Sequence, residues 1–241
     1  MKNILNSLMT IFFPRRCAGC GEVLSDDESM LCRNCMVGLK PTEEGWYRGN
    51  KLEMLFRGFN PYKKETGTAN KFVRGAAYLF YGKTSAVPEI IHTMKFVGDP
   101  ELAQWMGRKA AEWLASHNSG FFDDIDLLMP VALHPIRQQE RGFNQSEWIC
   151  RGIADVTGIP IDTTHLVRTV NTEQQSRKTL EERAKLGQIF ALNQPEDLRG
   201  KHILVVDDVC TTGSTIARVL DVLHPVRGCR YSVFALTYAI H

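Results

Sequence analysis

Two adjacent carboxylates followed at once by hydroxyls and a glycine mark one stretch of this chain as a candidate anion site. It reads Val206-Asp207-Asp208-Val209-Cys210-Thr211-Thr212-Gly213-Ser214-Thr215. Gly213 lets a backbone approach an anion closely, and Thr211, Thr212, Ser214 and Thr215 add hydroxyl donors. Asp207 and Asp208 would repel a phosphate if they faced it. They make sense as a candidate catalytic pair that meets something else: sugar hydroxyls, or a Mg2+ ion that also holds phosphate oxygens. No Lys follows the glycine, which excludes a P-loop.

A second set of reactive groups is Cys17-Ala18-Gly19-Cys20 with Cys32-Arg33-Asn34-Cys35. Two such turns can present four thiolates to one tetrahedral zinc. A closed four-sulfur site is structural, and it explains how a segment poor in large apolar residues could fold. A redox dithiol is the competing reading. A third set lies in Leu133-His134-Pro135-Ile136-Arg137-Gln138-Gln139-Glu140-Arg141-Gly142. Arg137 and Arg141 offer forked N–H donors that match a polyphosphate. His134 is a candidate general base, or a structural histidine before Pro135.

Strands and helices must position these groups. Ile203-Leu204-Val205-Val206 is a continuous apolar run, as in a strand buried on both faces. After it, Ile216, Val219, Leu220 and Leu223 recur at helical spacing. Strand, tight loop and helix N-terminus form an anion-binding arrangement, with unpaired N–H groups pointing into the loop. Further strands are expected near 127, 190 and 233, and helices over 89–96, 102–114 and from 145 to about 156. Phe72 to Tyr81 reads as a strand or hairpin arm. The pattern predicts an α/β fold: a mostly parallel sheet with helices on both faces, preceded by a small zinc-binding module. Ligands of such sheets bind beyond the carboxyl ends of the strands. The 130–145 and 207–215 loops both fall at that edge.

The 241 residues are 44% apolar and 23% charged, and the net charge is +2. That balance gives no global argument for nucleic acid or membrane. No run of about 18 apolar residues occurs, so no membrane span is expected. Residues 1–13 read as a short helix packed on the body, or as a membrane-surface anchor; a signal peptide is not expected. The seven cysteines, paired as metal motifs, point to a reducing, cytoplasmic compartment. The expected organisation is an N-terminal helix and zinc finger over 1–45, a connector over 46–70, and the main domain over 71–241. The connector has little regular pattern and is basic and aromatic. It could stack on single-stranded DNA, or wrap the main domain with its aromatics buried. Residues 171–185 are strongly polar and read as a closing lid or an exposed helix.

The strand, two acids and Thr/Gly/Ser loop resemble the phosphoribosyl-pyrophosphate (PRPP) loop of type I phosphoribosyltransferases. With the two C-x-x-C pairs, Pro130 to Gln145 and the Met94-Lys95-Phe96 and Gly98-Asp99 stretch, the chain is similar to the bacterial ComF family. The resemblance spans nearly the whole chain. It implies a zinc finger on a type I phosphoribosyltransferase domain, and a link to natural competence and the handling of imported DNA. It implies PRPP bound with Mg2+: the 5′-phosphate on Thr211, Thr212, Gly213, Ser214 and Thr215, and the ribose on Asp207 and Asp208. The pyrophosphate would lie near Arg137, Arg141 and Lys95. Phosphoribosyl transfer with release of pyrophosphate is then the expected activity. A non-enzymatic PRPP sensor, or a module for single-stranded DNA or competence proteins, is the alternative. Such proteins are often described as amidophosphoribosyltransferase-like. The chain begins Met1-Lys2, without an amino-terminal nucleophilic Cys, so glutamine-derived ammonia is not the expected nucleophile. The acceptor and the oligomeric state are not legible.

Overall fold

The computed structural model describes residues 14–58, 71–82, 85–170 and 189–239. Its centre is a four-stranded sheet in the order β1 (Phe72–Phe80), β6 (Arg230–Tyr238), β5 (His202–Cys210), β2 (Leu127–Pro130). All three pairings are parallel; Val205 faces Val233 on one side and Met129 on the other. β5 and β6 are buried along almost their whole length, which is why Ile203–Val206 and Val233–Leu236 within them are unbroken apolar runs.

Alternation along the strands sends side chains into two separate cores. Leu204, Val206, Phe234 and Leu236 join one core with the long helix over Pro100–His117 and the helix over Gln145–Thr157. Ile203, Val205, Val233 and Ala235 join the other with the helix over Ser214–Leu223 and with Leu52 and Phe56. Helices therefore cover both faces, as expected. The first two helices cross at Gly107 and Gly152, where an added Cβ would run into the facing backbone.

The four-cysteine segment packs on the first core: Cys17, Leu24, Leu31 and Leu39 share it with Val87, Ile90 and Ile91. Arg16 and Val23 form an antiparallel bridge, and a short helix runs over Arg33–Gly38. Glu28 ties this knuckle together, accepting from the N–H of Ser25 at 2.9 Å and of Arg33 at 2.6 Å.

Three expectations need correction. The strand at 190 is not in the parallel sheet. β4 (Phe190–Leu192) pairs antiparallel with β3 (Leu166–Arg168) in a separate two-stranded sheet. The link from Leu192 to β5 holds only the 3-10 turn Pro195–Leu198, whereas a parallel neighbour needs a long crossover. The connector is not irregular throughout. Residues 40–44 run beside β1, with Thr42 N donating to Tyr78 O at 2.8 Å and Phe80 N to Lys40 O at 3.1 Å. A helix over Lys51–Gly58 follows, entered by a variant of the capping box in which the back-reaching acid meets the amide one residue before the cap. Asn50 Oδ1 accepts from Glu53 N at 2.9 Å, and Glu53 reaches back to Gly49 N at 2.7 Å. Finally, the polar stretch after β2 folds into a helix over Pro135–Arg141. His134 caps it, its Nδ1 accepting from Ile136 N at 3.3 Å. That contact is a structural role.

No helix among the described residues is long and apolar enough to cross a membrane. The helix expected within 1–13, the basic part of the connector at 59–70 and the polar 171–185 segment lie outside the described residues.

Candidate active site

β5 runs through both acids and ends at Cys210, so Asp207 and Asp208 emerge from the sheet's carboxyl edge on a rigid strand. The turn then reverses at Gly213, whose φ of 72° is left-handed, and the helix over Ser214–Leu223 begins. A shallow recess of about 20 Å³ opens here, between Asp207, Val209, Cys210, Thr211 and Gly213–Ile216. Thr211, Thr212 and Ser214 are exposed and Thr215 half-buried, so their hydroxyls are open to a ligand. One amide is spent internally: Gly213 N–H faces the Cys210 thiol, which burial and then the charge of Asp207 push up to about 12.

The two acids differ. Asp207 is buried and accepts from Asp208 N at 2.9 Å and from Ser146 Oγ at 3.4 Å. Burial, and after it the charge on Asp208, raise its pKa to about 7. Asp208 instead forms an ion pair with Lys95, Oδ2 to Nζ 2.8 Å. Lys95 therefore reaches Asp208 directly, from a π-helical turn over Thr93–Val97. Arg141 stands near Asp208 electrostatically, donates to Gln145 Oε1 at 3.1 Å and lies 5.5 Å over the Phe96 ring. Arg137 is engaged by Glu140 on its own helix at 2.9 Å.

Sequence reasoning missed three residues here. Ser146 and Gln145 come from the N-terminus of the Gln145–Thr157 helix. Its cap, Asn144 accepting from Ser146 N at 3.1 Å, was a readable signal. Arg168 ends β3, feels the charge of Asp207, and lines a cavity of about 270 Å³ that also touches Leu133, Asn144 and Glu147. The three-residue strand that carries it gave no signal. Gln145 Nε2 is buried and has no hydrogen-bond partner. Because its Oε1 must face the donor-only Arg141, this amide orientation is the chemically consistent one.

Apart from this cleft, the sulfurs of Cys17, Cys20, Cys32 and Cys35 all lie within 4.8 Å of one another. Cys20 and Cys32 are 3.7 Å apart, close to the roughly 3.8 Å edge of a tetrahedron with Zn–S bonds of about 2.3 Å. Cys17 Sγ accepts from Cys32 N at 3.3 Å and Gly19 N at 3.4 Å. Burial raises the Cys17 thiol, but these N–H groups and that of Cys20 outweigh it and bring it to about 7. The donor set fits zinc.

Residues 155–238 match the family described as phosphoribosyl transferase domain. The chain is 32% identical over 136 residues to the DNA utilization protein YhgH of Salmonella typhimurium, covering 56% of this chain and 59% of that protein. It is 28% identical over 136 residues to competence protein ComFC of Bacillus subtilis, covering 56% and 52%. To competence protein F of Haemophilus influenzae it is 24% identical over 238 residues, covering 96% and 100%. The matches to YhgH and ComFC thus span little more than half of those relatives' length. Among solved structures, Trypanosoma cruzi hypoxanthine phosphoribosyltransferase aligns at TM-score 0.36 and 17% identity, covering 57% of this chain and 64% of that one. The sheet, its acid-bearing turn and the family match define a phosphoribosyltransferase-fold protein. Within that class the chain is similar to proteins named for competence and DNA utilization, and its four-cysteine cluster could hold a metal ion.

Proposed function

We propose that the protein binds PRPP and transfers its phosphoribosyl group with release of pyrophosphate, in the cytoplasmic handling of imported DNA. The observation that carries this reading is the turn after the acids, which sets exposed hydroxyls around a shallow recess at a helix N-terminus. The 5′-phosphate sits over Thr211–Thr215, at the helix N-terminus. The ribose hydroxyls donate to Asp207 and Asp208. The pyrophosphate lies toward Arg141, with Arg137 and Lys95 at its margin. A nucleophile then attacks C1 as pyrophosphate leaves, and the protein's part is to position both partners and stabilise the leaving anion. The competence names of the relatives support the DNA-uptake setting.

Mg2+ is the usual companion of PRPP in this fold. It would meet acids that are already engaged, since Lys95 holds Asp208 Oδ2 while Asp208 N and Ser146 Oγ donate to Asp207 Oδ1. Zinc, by contrast, belongs on Cys17, Cys20, Cys32 and Cys35 as a structural ion. Calorimetric titration of PRPP tests the reading: binding by the wild type, abolished by Asp207→Ala/Asp208→Ala in a variant that stays folded, supports it. Unchanged affinity in that variant contradicts it. Pyrophosphate release separates the enzyme from a PRPP sensor or a single-stranded-DNA module that uses the same cleft without turnover.

A further inference from the structure

The Thr93–Val97 turn continues the short helix over Val87–His92, but as a π-helix. A π turn takes in one more residue than an α turn, which rotates the side chains it carries. Here it delivers Lys95 to Asp208 at 2.8 Å, with the two side chains only 21% and 12% exposed. An ion pair so withdrawn from water is little screened by salt. Two more cations bear on the same carboxylates: Arg141 on Asp208 and Arg168 on Asp207.

A divalent ion on Asp208 would have to share the carboxylate with an ammonium already seated on Oδ2, where the charge of Arg141 also bears on the acid. Metal binding normally serves two ends at such a place. It neutralises the acid, and it bridges the acid to ligand oxygens. An ammonium does both: it carries three N–H donors, of which one meets Asp208 and the others can meet a ribose or diphosphate oxygen.

We infer that Lys95 does the work of a divalent cation at Asp208, so that this cleft takes its sugar-phosphate ligand without requiring Mg2+. The inference rests on the PRPP reading and names the counter-ion of that same site.

The experiment is a calorimetric titration of PRPP into the full chain, once in EDTA and once in Mg2+. For the wild type the two dissociation constants agree within about threefold. Lys95→Met, which removes the charge and keeps the length, loses about tenfold or more in EDTA, as expected for truncating one partner of a sequestered pair. Mg2+ restores part of that loss, and Lys95→Arg keeps the metal independence. Wild-type binding that appears only with Mg2+ overturns the inference and leaves the PRPP reading standing. Absence of binding in both buffers removes the PRPP reading, and this inference with it. Circular dichroism checks the fold of Lys95→Met; if it fails to fold, the two wild-type titrations still decide.

Discussion

Gly213 and Leu55 meet so closely that a methyl group on Gly213 would stand 2.8 Å from Leu55 Cδ2, with Phe56 carbons at 3.1 Å behind it. The turn proposed to hold a phosphate is thus buttressed from the rear by the helix over Lys51–Gly58. Gly213 also has a φ of 72°, which a side chain resists even where there is space. Gly213→Ala accordingly costs about 1–3 kcal/mol of stability, through strain and overpacking together. Chemical denaturation checks this. Adding Leu55→Ala relieves the contact but not the dihedral, so it recovers only part of the loss. Full recovery would mean the dihedral carries no strain.

Asp207 gives a stability that depends on pH in a defined direction. Folding lifts its pKa from the ordinary 3.8 to about 7, by burial first and the neighbouring Asp208 second. A raised pKa means the native state holds the proton more tightly. Its contribution is complete below the unfolded value and disappears as pH rises through about 7. Asp207→Asn keeps the shape without the charge. Its melting temperature should exceed that of the wild type by several degrees at about pH 8 and match it near pH 4. The same substitution weakens ribose binding, a conflict between stability and function typical of strained sites. A variant that melts below the wild type at every pH would contradict this account.

Much of the phosphate site was legible because its signals are local. Four apolar residues before Asp207 declare a buried strand, and the small residues after Asp208 declare a tight turn before a helix. What was missed depends on long-range placement. Phe190–Leu192 is apolar enough for either sheet, and only the short link to β5 excludes the parallel one. Lys95 could be assigned to a ligand by resemblance. Its pairing with Asp208 depends on a helix widening by one residue, which no periodicity reveals. Arg168 reaches Asp207 because β3 folds back as an antiparallel pair, another tertiary event. The helix over Lys51–Gly58 is a different case: Asn50 and Glu53 had the spacing of a capping box and could have revealed it.

The cysteine cluster predicts a metal-dependent fold for the amino-terminal segment. Elemental analysis of the purified protein should find a single zinc per chain, and Cys32→Ser should lose it. Because Cys17 and Leu31 pack on the same core as Ile90 and Ile91, chelation should lower the melting temperature of the whole domain. Metal-free protein with an unchanged melting curve would show that the thiols need no ion.

The account depends most on the turn after β5, and a crystal structure of the protein with PRPP tests it most directly. The 5′-phosphate is predicted within hydrogen-bonding distance of the Ser214 and Thr215 amides, with the ribose hydroxyls on Asp207 and Asp208. A phosphate bound elsewhere, with that turn empty, would contradict it.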